Sequence, residues 1–190
     1  TYLEDQVAAR GVVDGVQAIG RVARAVQGEV CEGADIVGFF DCAATMPAPL
    51  VGLVNNAGVI GQRGYVDDVS PSIWRRVMEV NVIGLMACAQ AAARIMSTAN
   101  AGQGGVIVNV SSAAATLGSA GEYVHYAASK AAVDTFTIGF AHEVARDGIR
   151  VVGVAPGFVE TDIHARSGAP DRLQNLAPTV PLGRASRPEE

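Results

Sequence analysis

Short apolar runs alternate along the chain with longer stretches in which apolar side chains recur at helical spacing. The runs consist largely of valine, isoleucine and leucine without polar alternation, which is typical of strands buried on both faces of a parallel sheet. They predict strands at 23–30, 50–58, 105–112 and 150–157. The longer stretches predict helices at 34–46, 71–98 and 122–147. The order βαβαβαβ therefore predicts a doubly wound α/β fold with a parallel sheet, in a single domain.

Two residues mark the start of the helix at 71–98. The Ser70 hydroxyl can accept a hydrogen bond from a backbone N–H of the first turn, as an N-cap does. Pro71 suits the first helical position because its ring fixes φ, and the N–H that it lacks would have no partner there. We therefore expect the helix to begin at Pro71.

Composition limits the location and the partners of the protein. The 190 residues, 49% of them hydrophobic, suffice for one domain with a sizeable core. The net charge of -5, without a Lys/Arg cluster, argues against a nucleic-acid or anionic-membrane partner. No apolar run is long enough to span a membrane, so we expect a cytoplasmic location. Three scattered cysteines, and no ligands at metal-binding spacing, predict neither a disulfide framework nor a metal site.

Polar and turn-forming residues stand where three of the predicted strands end. They are Asn55-Asn56-Ala57-Gly58, Ser111-Ser112 and Pro156-Gly157. Ligands of parallel α/β sheets bind at the carboxyl ends of the strands. We therefore expect these three segments to lie along one edge of the sheet and to form the site.

Lys130 is the only lysine in the chain, beside thirteen arginines, and it follows Tyr126 by four residues. This spacing puts both side chains on one helical face. A phenol needs a pKa lowered by about 3 units, or about 4 kcal/mol, to act as a base near pH 7, and an adjacent ammonium favours that shift. Tyr126 could then exchange a proton with a substrate oxygen that Ser112 hydrogen-bonds. Spacing alone leaves open a surface Tyr and Lys without a role.

Five motifs, in this order, resemble the short-chain dehydrogenase/reductase family. They are NNAG at 55–58, Asn81 in VNVIG, NVSS at 109–112, YAASK at 126–130 and APGFVETD at 155–162. The resemblance covers nearly the whole chain and implies a Rossmann-like fold with a catalytic tetrad of Asn81, Ser112, Tyr126 and Lys130. It also implies that Lys130 binds the nicotinamide ribose, and that the backbone of Asn81 holds a water that feeds a proton relay to Lys130. Since no side chain donates hydride, this chemistry requires a nicotinamide cofactor.

The same resemblance implies further cofactor contacts. Asn55 and Ala57, with Gly58 beside them, would contact the adenosine side of the cofactor. The residues at the nicotinamide carboxamide and pyrophosphate would be Pro156, Gly157, Val159 and Thr161. Glu29 and Val30 stand where many family members carry Asp-Val, which implies a contact to adenine. His164 lies in the segment that covers the substrate in relatives, so it is a candidate substrate contact.

The glycine-rich turn that binds dinucleotide phosphates, G-x-G-x-x-G or G-x-x-x-G-x-G, does not occur after a first strand. Thr1-Tyr2 aligns where family members finish their second strand, and SRPEE resembles the start of a helix that leads to their last strand. We therefore expect residues 1–190 to be one incomplete domain without the first βαβ portion and the last strand. Thr1 replaces an acidic residue that would bind the NAD ribose, so the cofactor is NADP or NAD, with a slight preference for NADP.

The tetrad favours an NAD(P)-dependent oxidoreductase that interconverts a secondary alcohol and a ketone, similar to carbonyl reductases, 3-oxoacyl reductases or sugar dehydrogenases. Two alternatives remain: a catalytically silent dinucleotide-binding module on the same fold, and an epimerase or dehydratase relative. No residue identifies the small-molecule substrate. The resemblance further implies a homodimer or homotetramer, in which the helices at 71–98 and 122–147 form a four-helix interface with a partner subunit.

Overall fold

The computed structural model describes residues 1–161, 163, 167–169 and 171–190, and a three-stranded parallel sheet lies at its centre. The strands are β1 (Gly52–Asn55), β2 (Gly105–Val110) and β3 (Ile149–Val154), in this spatial order. In the register, Asn109 of β2 is paired with Asn55 of β1 and Gly153 of β3. The three corresponding strand predictions are confirmed with shorter bounds, and the strands end at a common edge.

The other regular elements of the described residues are helices. They are α1 (Gln6–Ala18), α2 (Gly33–Ala44), α3 (Pro71–Met78), α4 (Leu85–Met96), α5 (Ala114–Leu117), α6 (Val124–Val144) and α7 (Arg172–Leu176), with 3₁₀ turns at Val66–Asp68, Thr98–Asn100, Ala145–Asp147 and Ala177–Thr179. The helices predicted at 34–46 and 122–147 are thus confirmed as α2 and α6. Within the described part of the chain, none of the helices has the length and apolar character needed to cross a bilayer.

The core lies between one face of the sheet and the helices α4 and α6. Small and medium apolar side chains fill it: Ala89, Ala92, Ala93, Met96, Ile107, Val144, Ile149 and Val151. The alanines let α4 pack closely on the strands at the density of a protein interior. On the opposite face of the sheet, Val54, Val152 and Val154 are 64%, 45% and 49% exposed. The described residues therefore cover mainly one face of these strands, whereas the apolar pattern predicted cover on both.

The strand prediction at 23–30 is wrong, because this segment makes a single bridge in the described structure. The Tyr2 N–H donates to the Val26 carbonyl over 3.0 Å, and the Gly28 N–H donates to the Tyr2 carbonyl over 3.0 Å. These two bonds pair Tyr2 with Gln27. A strand needs successive paired residues to satisfy its backbone, and apolar composition alone does not supply them.

The helix α1 is not predicted by the sequence pattern. Gly11 and Gly15 lower the helix propensity of this stretch, and none of its residues is buried in the described structure. Its beginning is nevertheless stabilised by a side-chain cap, because the Asp5 carboxylate accepts a hydrogen bond from the Ala8 N–H over 2.8 Å.

The helix predicted at 71–98 begins as expected and is then interrupted. Ser70 Oγ accepts from the Ser72 N–H over 3.3 Å, and Pro71 occupies the first helical position. Between α3 and α4, Glu79–Gly84 forms a π turn. Such a turn bonds each residue to i−5 instead of i−4 and is frequent at functional sites. It carries Asn81 in a buried position.

Gly84, the last residue of the π turn, lies against the backbone of the 23–30 segment. A Cβ built on Gly84 would lie 2.6 Å from the Val30 carbonyl oxygen. We expect Gly84→Ala to lower the free energy of unfolding by about 1–3 kcal/mol, because the helix and the segment would have to separate. Urea denaturation of the two proteins measures this difference.

Gly139→Ala provides the matched control for this substitution. Gly139 is an exposed residue of α6, and no atom outside its own helical turn lies within 4 Å of a Cβ built there. Alanine should raise the free energy of unfolding by about 0.5–1 kcal/mol, since it restricts the unfolded chain. Equal effects of the two substitutions would contradict a tight contact at Gly84.

Candidate active site

A cavity of about 370 Å³ opens at the carboxyl ends of the strands. Its wall contains residues that follow each strand, which confirms that the three predicted segments lie along one edge. Of the predicted site residues, the following line it: Gly58, Ser112, Tyr126, Lys130, Pro156, Gly157, Val159 and Thr161. The described lining does not include five others: Glu29, Val30, Asn55, Ala57 and Asn81.

Tyr126 is a half-buried side chain of α6 that lies beside Ser112. Burial raises the pKa of the Tyr126 phenol above its usual value, while a hydrogen bond with Ser112 and the charge of Arg172 oppose that rise. The predicted lowering of this pKa by Lys130 is wrong, because burial dominates and the Lys130 ammonium lies 5.8 Å from the ring centroid. Tyr126 is therefore a phenol at neutral pH and can donate a proton.

Lys130 lines the cavity and is only 4% exposed. Its Nζ donates a hydrogen bond to the Val110 carbonyl at the end of β2, over 2.7 Å. Burial lowers the pKa of Lys130 to about 8, and the carboxylate of Asp134 opposes this effect. The ammonium is thus mostly protonated at pH 7, yet close enough to its pKa to release a proton.

Asn81 of the π turn ties the loop after β1 to α6. Its Oδ1 accepts from the Val59 N–H over 2.8 Å, and its Nδ2 donates to the Val59 carbonyl over 2.9 Å and to Ser129 Oγ over 3.0 Å. Ser129 Oγ donates in turn to the Tyr126 carbonyl over 2.7 Å. The Asn81 side chain is therefore fully engaged in holding the turn before Lys130, and only its backbone could serve a proton relay.

A buried polar chain behind the cavity was missed by the sequence analysis. Asn55 Nδ2 donates to Asn109 Oδ1 over 3.0 Å, and Asn109 Nδ2 donates to Thr137 Oγ1 over 2.9 Å. Asn55 Nδ2 also reaches the Leu85 carbonyl over 3.4 Å. This series of hydrogen bonds joins β1, β2 and α6 to the end of the π turn. The signal for it is an asparagine in each of two apolar strand patterns.

Other predicted cofactor contacts lie away from the cavity. The Glu29 carboxylate forms an ion pair with Arg76 of α3. The Val30 carbonyl packs against Gly84, and Ala57 is exposed in the loop after β1. The last residue of the APGFVETD motif, Asp162, and the candidate substrate contact His164 lie outside the described residues.

The residues at the cavity fit a nicotinamide nucleotide. A Cβ built on Gly58 would lie 3.2 Å from Asn81 Oδ1 and 3.7 Å from Lys130 Nζ, so a side chain at this position would crowd both polar groups. The Lys130 ammonium and the Thr161 hydroxyl supply hydrogen-bond donors on this wall. Among the described residues, no group of three His, Cys, Asp or Glu side chains could hold a metal ion.

Arg172 also lines the cavity, and the sequence analysis did not identify it. Its guanidinium donates to Glu122 Oε2 over 2.7 Å from Nη2 and over 3.2 Å from Nε. No motif or spacing marks this arginine in the sequence.

The buried ammonium of Lys130 should make stability depend on pH in a defined window. The pKa of a lysine in the unfolded chain is 10.5, whereas the pKa of Lys130 in the folded protein is about 8. Between these values the unfolded state binds more protons, so the free energy of unfolding contributed by this group rises with pH, by up to about 3 kcal/mol. Below pH 8 both states are charged, and the full cost of burial is present.

Comparison with Lys130→Met isolates this group. We expect the wild-type protein to gain about 3 kcal/mol of unfolding free energy relative to the variant as the pH rises from 8 to 10.5. Chemical denaturation at closely spaced pH values measures both curves, and the lost Val110 hydrogen bond adds only a constant offset. Parallel curves across this window would contradict the lowered pKa.

Comparison with known proteins agrees with this geometry. The sequence model of the short chain dehydrogenase family matches residues 2–171. The uncharacterized oxidoreductase YgfF of Escherichia coli is 40% identical over 189 residues, which are 100% of this chain and 76% of that protein.

Two crystal structures share the fold over nearly the whole chain. A short-chain type dehydrogenase/reductase from Mycobacterium marinum has a TM-score of 0.89 at 30% identity, over 99% of this chain and 72% of that one. A gluconate 5-dehydrogenase from Burkholderia cenocepacia, in complex with NADP and tartrate, has a TM-score of 0.83 at 29% identity, over 98% of this chain and 71% of that one. Since the family model matches residues 2–171 and these relatives share both sequence and fold, this chain belongs to the short-chain dehydrogenase/reductase family of NAD(P)-dependent oxidoreductases.

Proposed function

We propose that the cavity reduces a small ketone to a secondary alcohol, and runs the reverse reaction when the alcohol is in excess. The observation that carries the proposal is the juxtaposition of the Ser112 hydroxyl with a protonated Tyr126, above the Lys130 ammonium, in one cavity. Protonated Tyr126 matches the reductive direction, because the carbonyl oxygen must gain a proton as the carbon gains hydride.

Each of these residues has a distinct part in the proposed reaction. When bound, the reduced nicotinamide supplies the hydride that the carbonyl carbon accepts. Tyr126 gives its phenolic proton to the carbonyl oxygen, and Ser112 donates a hydrogen bond to the same oxygen. Lys130 then returns a proton to Tyr126, for which its pKa of about 8 is well matched. Asn81 holds the π turn and α6 in the geometry that brings Lys130 below Tyr126.

The cofactor would lie along the edge formed by the strand ends. Lys130 would bind the nicotinamide ribose, and the carboxamide and pyrophosphate would contact four residues of the segment after β3: Pro156, Gly157, Val159 and Thr161. Lys130 and these four residues line the same cavity, which supports this path. Contacts from Asn55, Ala57, Glu29 and Val30 to the adenosine end complete the proposal. In this arrangement Glu29 would contact the adenosine end while it keeps its ion pair with Arg76.

NADP is the preferred cofactor in this proposal. Thr1 is uncharged at the place where an acidic residue would repel the additional phosphate of NADP. Fluorescence titrations of the protein with NADPH and NADH in parallel should give the lower dissociation constant for NADPH. A clear preference for NADH would reverse this assignment.

Self-association and a cytoplasmic location are also part of the proposal. Ile83 of the π turn and Ile138 of α6 are 58% and 64% exposed, which supports an apolar interface between subunits along these helices. Cys31, Cys42 and Cys88 are free thiols, which agrees with a reducing compartment.

Replacement of Tyr126 by phenylalanine tests the proposed proton donor. We expect Tyr126→Phe to reduce kcat for ketone reduction by about 10²–10⁴-fold, since the ring is kept and only the transferable proton is lost. Initial rates with NADPH and a panel of ketones measure the effect, and circular dichroism verifies the fold.

Tyr65→Phe is the matched control, because Tyr65 is 70% exposed and outside the described cavity wall. Its rates should equal those of the wild-type protein. Undiminished turnover by Tyr126→Phe would remove Tyr126 from the proposed role, and absence of turnover in the wild-type protein with every ketone and both cofactors would overturn the proposed function.

A further inference from the structure

Asn109 of β2 is a buried polar residue to which the proposed reaction assigns no part. It directly precedes Val110, whose carbonyl accepts the hydrogen bond of Lys130 over 2.7 Å. Ile107, two residues earlier on the same face of the strand, is an apolar core residue. Burying an amide in such a place costs free energy unless its polar groups are paired, and an apolar side chain would avoid that cost. An amide beside the lysine acceptor therefore calls for a role beyond packing.

The Asn109 side chain is fixed at both of its polar atoms. Its Oδ1 accepts a hydrogen bond from Asn55 Nδ2 of β1 over 3.0 Å, and its Nδ2 donates to Thr137 Oγ1 of α6 over 2.9 Å. The Thr137 hydroxyl donates in turn to the Val133 carbonyl over 2.7 Å, so its own orientation is also fixed. The amide thus has one orientation, and it links two strands to one turn of α6.

Two side-chain hydrogen bonds join β2 to α6, one from each neighbour of Val110. Ser111 Oγ donates to the backbone carbonyl of Lys130 over 3.2 Å. Asn109 bonds to Thr137, which lies seven residues beyond Lys130 and therefore about 10 Å further along the helix axis. Apolar contacts between helix and sheet do not fix direction, whereas hydrogen bonds do. One such bond would let the helix pivot, and two bonds at this separation fix both its position and its tilt.

We propose that Asn109 is a positioning residue of the active site. Its bond to Thr137 holds α6 on β2 so that Lys130 Nζ stays at the Val110 carbonyl. An ammonium has three donors, so this bond can persist while another donor binds the cofactor. A carbonyl acceptor favours the protonated form of lysine, and Asn109 thereby sets the pH range in which Lys130 can return a proton to Tyr126. Only this last step rests on the proposed function.

The described charged and titratable groups around Lys130 are left intact when Thr137 is replaced. The carboxylate of Asp134, on the next turn of α6, favours the charged lysine. The ring centroid of Tyr126 lies 5.8 Å from the ammonium, and Arg172 lines the same cavity. Thr137 is uncharged and lies two turns away, so its hydroxyl has no direct contact with the ammonium. A change in the titration of Lys130 after substitution of Thr137 is therefore transmitted by a shift of α6 on β2.

The experiment uses the fact that Lys130 is the only lysine of the chain, so protein isotope-labelled at lysine Cε gives one NMR signal for its titration. Thr137→Val keeps the shape of the side chain and removes the hydroxyl. We expect a midpoint at about pH 8 for the wild-type protein. The midpoint of the variant should be lower by about 0.5–1 pH unit, because the ammonium loses part of its contact with the carbonyl. The fall of kcat at high pH, measured with NADPH and a ketone, should move by the same amount.

Two further variants serve as controls. Thr135→Val makes the same substitution at an exposed position of α6, two residues earlier, so its midpoint should equal that of the wild-type protein. Thr137→Ser keeps the hydroxyl that accepts from Asn109, and it should also titrate like the wild-type protein. A purely structural role of this hydroxyl would lower the stability of Thr137→Val and leave the titration of its folded state unchanged.

The outcomes separate this inference from the proposed function. An unchanged midpoint in Thr137→Val, or an equal shift in Thr135→Val, overturns the inference alone. If Thr137→Val does not fold, Thr137→Ala decides by the same criterion, since it leaves room for a water at the Asn109 amide and still removes the bond to α6. The NMR titration needs no turnover, so a shifted midpoint supports the positioning role even if no ketone is reduced with either cofactor. That absence of turnover would overturn the proposed function.

Discussion

The burial of one ammonium group is the constraint around which the site is built. Lys130 is 4% exposed, its ammonium donates a hydrogen bond to the backbone carbonyl of Val110, and the carboxylate of Asp134 adds a favourable charge. Removing an ammonium from water is costly unless fixed dipoles replace the lost hydration. The end of β2 and the first turns of α6 must therefore hold their relative position closely, because a small shift would leave the charge without its acceptor.

The surrounding hydrogen bonds meet this requirement from two sides. Asn81 joins the loop after β1 to Ser129, and Ser129 joins the same asparagine to the backbone of Tyr126. On the other side, Asn109 connects β2 to Thr137, two helical turns beyond Lys130. All of these side chains are buried, and within the described residues no buried side-chain polar atom lacks a partner. Satisfied polar networks of this kind are rigid, and this rigidity is what an active site requires.

The sequence was most informative where local chemistry dictates the structure. Valine-rich runs located three strands, Ser70 and Pro71 located a helix start, and the polar strand ends located the cavity. It was least informative where the outcome depends on partners far along the chain. The 23–30 segment has strand composition but one pairing partner, and Arg172 lines a cavity whose other residues are mostly far from it in the sequence. The pKa of Tyr126 was predicted with the wrong sign, since burial was not visible from the i to i+4 spacing.

The π turn at Glu79–Gly84 fixes the phase of the helix that follows it. Each residue added to or removed from an α-helix rotates everything beyond it by about 100°. The extra residue of the π turn allows Asn81 to point at Val59 while Ala89, Ala92 and Met96 still face the sheet. A deletion that restored regular α-helix could keep one of these orientations but not both. The number of residues in this helix is therefore constrained by the contacts on both sides of the π turn.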